Sequence, residues 1–162
     1  MSSSPYAMNH LSQLPDLAVE QFLNRGLYCS EAILQVYNAG IPLGLDQSAL
    51  RMATAFGTGL GGARCCCGSL TGAVLVLSAL KGRTSGQESE ADVFSLANRM
   101  HDRFRDQFGT TCCRVLTRGV EWGSPEHPQF CAKYVRGASQ ILNELLGEGA
   151  VCAGEAKCAQ EV

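Results

Sequence analysis

The chain has 162 residues, 46% of them hydrophobic, and a formal net charge of -2, which suits one domain with a buried core. That balance excludes the clustered excess of Lys and Arg expected of a nucleic-acid binder. Nine cysteines (Cys29, Cys65, Cys66, Cys67, Cys112, Cys113, Cys131, Cys152 and Cys158) are many, and odd in number, for a chain that needs no disulfide staples, so their chemistry has to be explained.

Residues 1–13 read as a flexible N-terminus, and their opening MSSSPYAMNH has neither the basic start nor the apolar run of a secretory signal, so the reducing cytoplasm is the expected compartment. Apolar residues at helical spacing over 15–23 predict a first helix, capped near Gly26. A second begins at Cys29, where Ala32, Ile33, Val36 and Tyr37 share one face. A third is expected over 46–56 with Asp46 as N-cap, followed by the glycine-rich run 57–62. After Cys65-Cys66-Cys67, residues 70–80 are apolar on nearly every side and predict a central buried helix. That stretch is about half the roughly 20 residues needed to span a bilayer.

Residues 88–108 are amphipathic and end at Gly109. Cys112-Cys113-Arg114-Val115-Leu116 predicts one short helical turn, 122–128 a loop with two prolines, and 130–146 a last helix stopping at Gly147. Residues 148–162 form a tail without periodicity. No segment alternates with the two-residue period of a strand. The expected fold is therefore all-α: a single-domain bundle of six or seven helices over residues 14–147.

Cys29, Cys67, Cys113 and Cys131 each fall at or within a turn of a predicted helix start, where unpaired N–H groups and the helix dipole favour a thiolate. Converging helix starts would also suit an iron–sulfur cluster, which is net negative. No CxxC pair exists, which disfavours a zinc finger, and ferredoxin spacings are absent. Adjacent cysteines diverge, leaving members of 65–67 and 112–113 free to act as redox partners. Gly57, Gly59 and Gly62 satisfy GxGxxG, but no βαβ unit surrounds them, so a dinucleotide site is rejected. The run is either a tight loop that lets backbone at Gly59 and Gly61 approach a cysteine-bound cofactor or a plain flexible connection. His10, His101 and His127 read as surface histidines. Cys152 and Cys158 are assigned no role.

Gly26-Leu27-Tyr28-Cys29-Ser30-Glu31-Ala32, Phe56-Gly57-Thr58-Gly59, Cys67-Gly68-Ser69-Leu70-Thr71-Gly72-Ala73, Phe108-Gly109 with Cys113-Arg114-Val115-Leu116, and Cys131 together resemble a family named for its C, GCAxxG, C, C pattern and regarded as redox-active. The likeness covers residues 14–146, with Ser69 where alanine is usual and with Cys65, Cys66 and Cys112 as additions. That family is similar to a domain of split-Soret cytochromes, which are dimers pairing a cysteine-bound iron–sulfur centre with haem. The resemblance implies an all-helical fold, a homodimer, and metal-ligand roles for Cys29, Cys67, Cys113 and Cys131, with Cys66 next. Haem is not implied, because CxxCH is missing. The leading expectation is electron transfer or redox sensing by an iron–sulfur cluster with an unknown electron partner. The alternatives are a thiol–disulfide enzyme using neighbouring cysteines and a non-redox metal-binding module.

Overall fold

A computed structural model describes residues 8–152, with side chains over 10–148. Cys158 and the side chain of Cys152 lie outside the described residues. The chain forms α1 (Met8–Leu11), α2 (Leu14–Asn24), α3 (Cys29–Gly40), α4 (Gln47–Arg51), a 3-10 turn (Thr54–Phe56), the single turn α5 (Gly57–Leu60), α6 (Gly68–Lys81), α7 (Ala91–Phe108), α8 (Cys113–Leu116) and α9 (His127–Cys152). Among the described residues there is no strand, only one isolated antiparallel bridge between Cys66 and Cys112. The protein is all-α, as its periodicity predicts.

Helix α6 is central, packing against α3, α7 and α9 and burying Leu70, Ala73, Val76 and Leu77. Its lack of a polar stripe follows from that position. A Cβ added at Gly72 would lie 2.8 Å from the Ser30 Cα and 2.9 Å from its carbonyl oxygen, so α3 crosses α6 backbone to backbone. Ser30 is buried, and its hydroxyl donates to the Ala53 carbonyl at 2.8 Å. This crossing sets the N-termini of α3 and α6, and with them Cys29 and Cys67, side by side. Helix α2 packs on α9 and α3. Far from the crossing, the buried Tyr37 hydroxyl shares its proton between the Ser139 carbonyl (2.9 Å) and Asn143 Oδ1 (2.6 Å), pinning α3 to α9.

Several helix boundaries differ from the periodic reading. The helix expected over 46–56 is only α4, capped as expected by Asp46, whose carboxylate accepts from the Ala49 N–H at 2.8 Å. It breaks because α3 captures the residues just beyond Met52: Ser30 takes the Ala53 carbonyl, and the Thr54 hydroxyl donates to Glu31 at 2.6 Å. Helix α7 starts at Ala91 rather than 88, because Glu88 is held in the preceding turn by Arg83 and Thr84. Helix α9 starts at His127 rather than 130 and runs through Gly147 to Cys152. Pro128 sits in its first turn, where the missing N–H has no intrahelical partner to lose. Among the described residues, no helix is long and apolar enough to cross a membrane.

Candidate functional site

Cys29 opens α3. The Glu31 carboxylate accepts from the Tyr28 N–H at 2.8 Å and so braces this helix start. Cys67 is the N-cap of α6, in an extended conformation (φ -61°, ψ 129°), and Cys113 is the first residue of α8. Cys131 lies one turn inside α9. The start of that helix moves from 130 to His127 because Pro128 opens the helix rather than delaying it.

The loops carrying Cys67 and Cys113 are laced together. Cys67 N–H donates to the Thr111 carbonyl at 2.8 Å, Cys113 N–H to Cys65 at 2.5 Å, and Arg114 N–H to Arg64 at 2.9 Å. The glycine run supports this pair from beneath. Thr58, Gly59, Leu60, Gly61, Gly62 and Arg64 all take positive φ, and the non-glycine members among them store strain of the kind found at functional loops. A Cβ on Gly59 would lie 2.8 Å from the Cys113 Cβ and 2.9 Å from the Arg64 Cα, so this backbone does approach the cysteine loops closely. Gly61 does not: the nearest atom to a Cβ there is the Ala55 carbonyl oxygen at 3.8 Å.

Four cysteines distant in sequence, Cys29, Cys67, Cys113 and Cys131, line one cavity of about 50 Å³. That is several times the roughly 10–15 Å³ a single water requires. Phe22, Tyr28, Trp122 and Tyr134 complete much of its wall. Cys66 is not part of that wall; it stands opposite Cys112 in the isolated bridge. All seven cysteines with described side chains are free thiols. Among the described residues, no three His, Cys, Asp or Glu side chains are placed to hold one metal ion.

The expected lowering of thiol pKa at helix starts is reversed. Burial drives Cys29 far upward, and Cys67, Cys131 and Cys113 add to it. Cys67 is raised by burial even though the Ser69 N–H, the Ser69 hydroxyl and the Leu70 N–H act to lower it. Burial and then Cys67 push Cys113 up to about 11, against the opposing pull of Arg64. Burial, Cys67 and Cys113 push Cys131 up to about 12, with Lys133 opposing. The four cavity thiols are therefore neutral at pH 7, and Cys29, Cys113 and Cys131 are each made harder to ionise by their neighbours.

His127 also lines the cavity, which corrects its reading as a surface histidine. Its Nε2 is buried without a partner, as is Arg64 Nε. Trp122 contacts both side chains, its ring centroid 4.4 Å from that of His127 and the Arg64 guanidinium 4.1 Å over its face. Burial and Arg64 lower the His127 pKa, so the ring is neutral at pH 7. His127, Cys131 and Tyr134 stand at i, i+4 and i+7 on one face of α9. That signal becomes visible only once the helix is started at His127. His10 is exposed, and His101 pairs with Asp102 at 2.9 Å, away from the cavity wall.

Neither a curated protein nor a solved structure matches the chain. One family model, described as "Putative redox-active protein (C_GCAxxG_C_C)", matches residues 27–145, well over half of the chain and every cysteine of the cavity. The chain belongs to this family.

Proposed function

We propose that Cys29, Cys67, Cys113 and Cys131 hold an iron–sulfur centre in the cavity and that the protein transfers or senses electrons through it. The observation that carries this reading is the convergence of four thiols from four separate segments on one cavity. A single ion needs all its sulfur ligands at about 2.3 Å from one point, an arrangement not found among the described residues. A cluster distributes its thiolate ligands over several irons, which suits a donor set spread around a wall. The raised pKa values disfavour a bare low-pKa nucleophile. They suit thiols that lose protons only as a positive centre arrives, so that assembly releases protons.

An iron–sulfur centre would supply reversible one-electron chemistry. The chain's own residues would do the rest. The four cysteines bind, the crossing at Ser30 and Gly72 keeps the first two ligands in register, and Phe22, Tyr28, Trp122 and Tyr134 exclude water. His127 contributes its ring to the wall beside Cys131. The test is anaerobic reconstitution of the full chain with iron and sulfide. Visible absorption, matched by bound iron and sulfide and lost in Cys29→Ser, Cys67→Ser, Cys113→Ser and Cys131→Ser, is the expected result. No visible absorption and no bound iron or sulfide would overturn the reading.

A further inference from the structure

We propose that Cys66 and Cys112 form a second redox site, a dithiol that closes reversibly to a cross-strand disulfide while the cavity cysteines stay out of the bond. This goes beyond the cluster reading and does not rest on it.

The hydrogen bonds fix the geometry. Cys113 N–H donates to the Cys65 carbonyl and Cys67 N–H to the Thr111 carbonyl, so the bridge between Cys66 and Cys112 is flanked by a bond on either side with none between the two residues themselves. It is a non-hydrogen-bonded antiparallel pair. In such pairs the Cα atoms are about 4.5 Å apart and the side chains stand on one face at their closest approach. Disulfides span Cα separations of roughly 4.4–6.8 Å, so this pair can bond without backbone movement. Cys112 Sγ already turns toward the facing loop, donating to the Arg64 carbonyl at 3.7 Å.

Alternation along an extended backbone separates the two sites. Successive side chains point to opposite faces; Cys67 and Cys113 face the cavity, whereas Cys66 and Cys112, one residue earlier in each loop, face each other. The adjacent pairs Cys65–Cys66 and Cys112–Cys113 diverge for the same reason. Cys66 and Cys112 are both partly exposed, within reach of a small reagent.

A small-molecule disulfide is the oxidant. One thiolate of the pair attacks its S–S bond, expels one small thiol and leaves a mixed disulfide on the protein. The partner cysteine, losing its proton, attacks the protein sulfur of that mixed disulfide and expels the second small thiol. Two electrons and two protons pass from the pair to the small molecule, and a Cys66–Cys112 bond remains. It ties together the residues immediately preceding Cys67 and Cys113, placing a two-electron couple beside the cavity.

The test equilibrates the full, metal-free chain in graded ratios of oxidised to reduced glutathione, followed by acid quenching, alkylation and tryptic mapping. Cleavage after Arg64, Lys81, Arg105 and Arg114 places Cys66 in 65–81 and Cys112 in 106–114. The expected product is a reducible link between these peptides, assigned by fragmentation to Cys66 and Cys112 and formed ahead of any other. In Cys66→Ser the link is lost and Cys112 stays alkylatable or carries glutathione. Links at Cys67–Cys113 or between adjacent cysteines, or no link at the most oxidising ratio, overturn the proposal. Should Cys66→Ser fail to fold, the wild-type map decides alone. A chain that takes up no iron but forms this link refutes only the cluster reading; one that takes up iron but never forms the link refutes only this one.

Discussion

Gly68 offers the sharpest test of how the cavity is built. It is the first residue of α6, and a Cβ placed on it would lie 2.5 Å from Cys29 Sγ and 2.9 Å from the Phe56 carbonyl oxygen. Optimal non-bonded separations are about 3.5–4.0 Å, so in Gly68→Ala the Cys29 sulfur has to retreat by roughly 1 Å. Alanine gains at most about 1 kcal/mol over glycine in a helix, and overpacking costs about 1–3 kcal/mol. The net loss in stability is therefore only about 0–2 kcal/mol. The effect on the site is larger, because metal–ligand distances tolerate about 0.2 Å. Urea unfolding should show a small fall in midpoint, while iron bound per chain after reconstitution should fall several-fold. Gly86→Ala, with nothing within 4 Å of the added Cβ, serves as the control and should change neither. Native iron content in Gly68→Ala would refute the placement of the Cys29 sulfur against the start of α6.

Tyr37→Phe removes the buried hydroxyl that joins α3 to α9 and leaves Asn143 Oδ1 without that donor; stability should fall by about 1–2 kcal/mol in urea titrations, and an unchanged midpoint would count against this clamp. In the metal-free chain, Cys113 and Cys131 titrate near 11 and 12 instead of the ordinary 9.0. Above pH 9 the unfolded chain therefore releases protons that the folded chain keeps, and stability, fully present below pH 9, should decline as pH climbs toward 11–12. A urea midpoint flat across that window would contradict the burial of these thiols. Trp122→Ala removes a ring from the cavity wall and should raise the alkylation rates of Cys29 and Cys131 several-fold; unchanged rates would show that Trp122 does not close the cavity.

The helical periodicities of α2, α3, α6 and α7 are legible because each buries one face or, in α6, nearly all of it. So is the start of α3 at Cys29, which Glu31 braces locally; α6 begins at Gly68, two residues ahead of the periodic run, with Cys67 as its N-cap. The hidden features depend on contacts between distant segments. The break after α4 comes from Ser30 and Glu31 on another helix, and no local pattern encodes it. Pro128 is ambiguous in sequence, since the same residue ends one helix or begins another, and a loop at that position conceals both the true start of α9 and the place of His127 beside Cys131. The adjacency of Cys66 and Cys112 is a matter of register between two loops 46 residues apart, set by three backbone hydrogen bonds that composition does not reveal.

Helix position alone predicts the wrong sign for the electrostatics of the four thiols, and the reason is one of magnitude. A helix start contributes about 0.3–1 kcal/mol to a nearby negative charge. Desolvation of a fully buried group can shift its pKa by up to about 3–5 units, at about 1.4 kcal/mol per unit. Cys67 shows the contest within one residue, because Ser69 and Leu70 act to stabilise its anion and burial still raises it. Every further thiolate in the cavity would repel the last. At pH 7 the four cysteines would thus be ionised together only if something positive entered between them, and the N–H groups around Cys67 would then stabilise the charge so created. A helix start of this kind does not create the thiolate; it would only lower the cost of keeping one that a bound cation had produced.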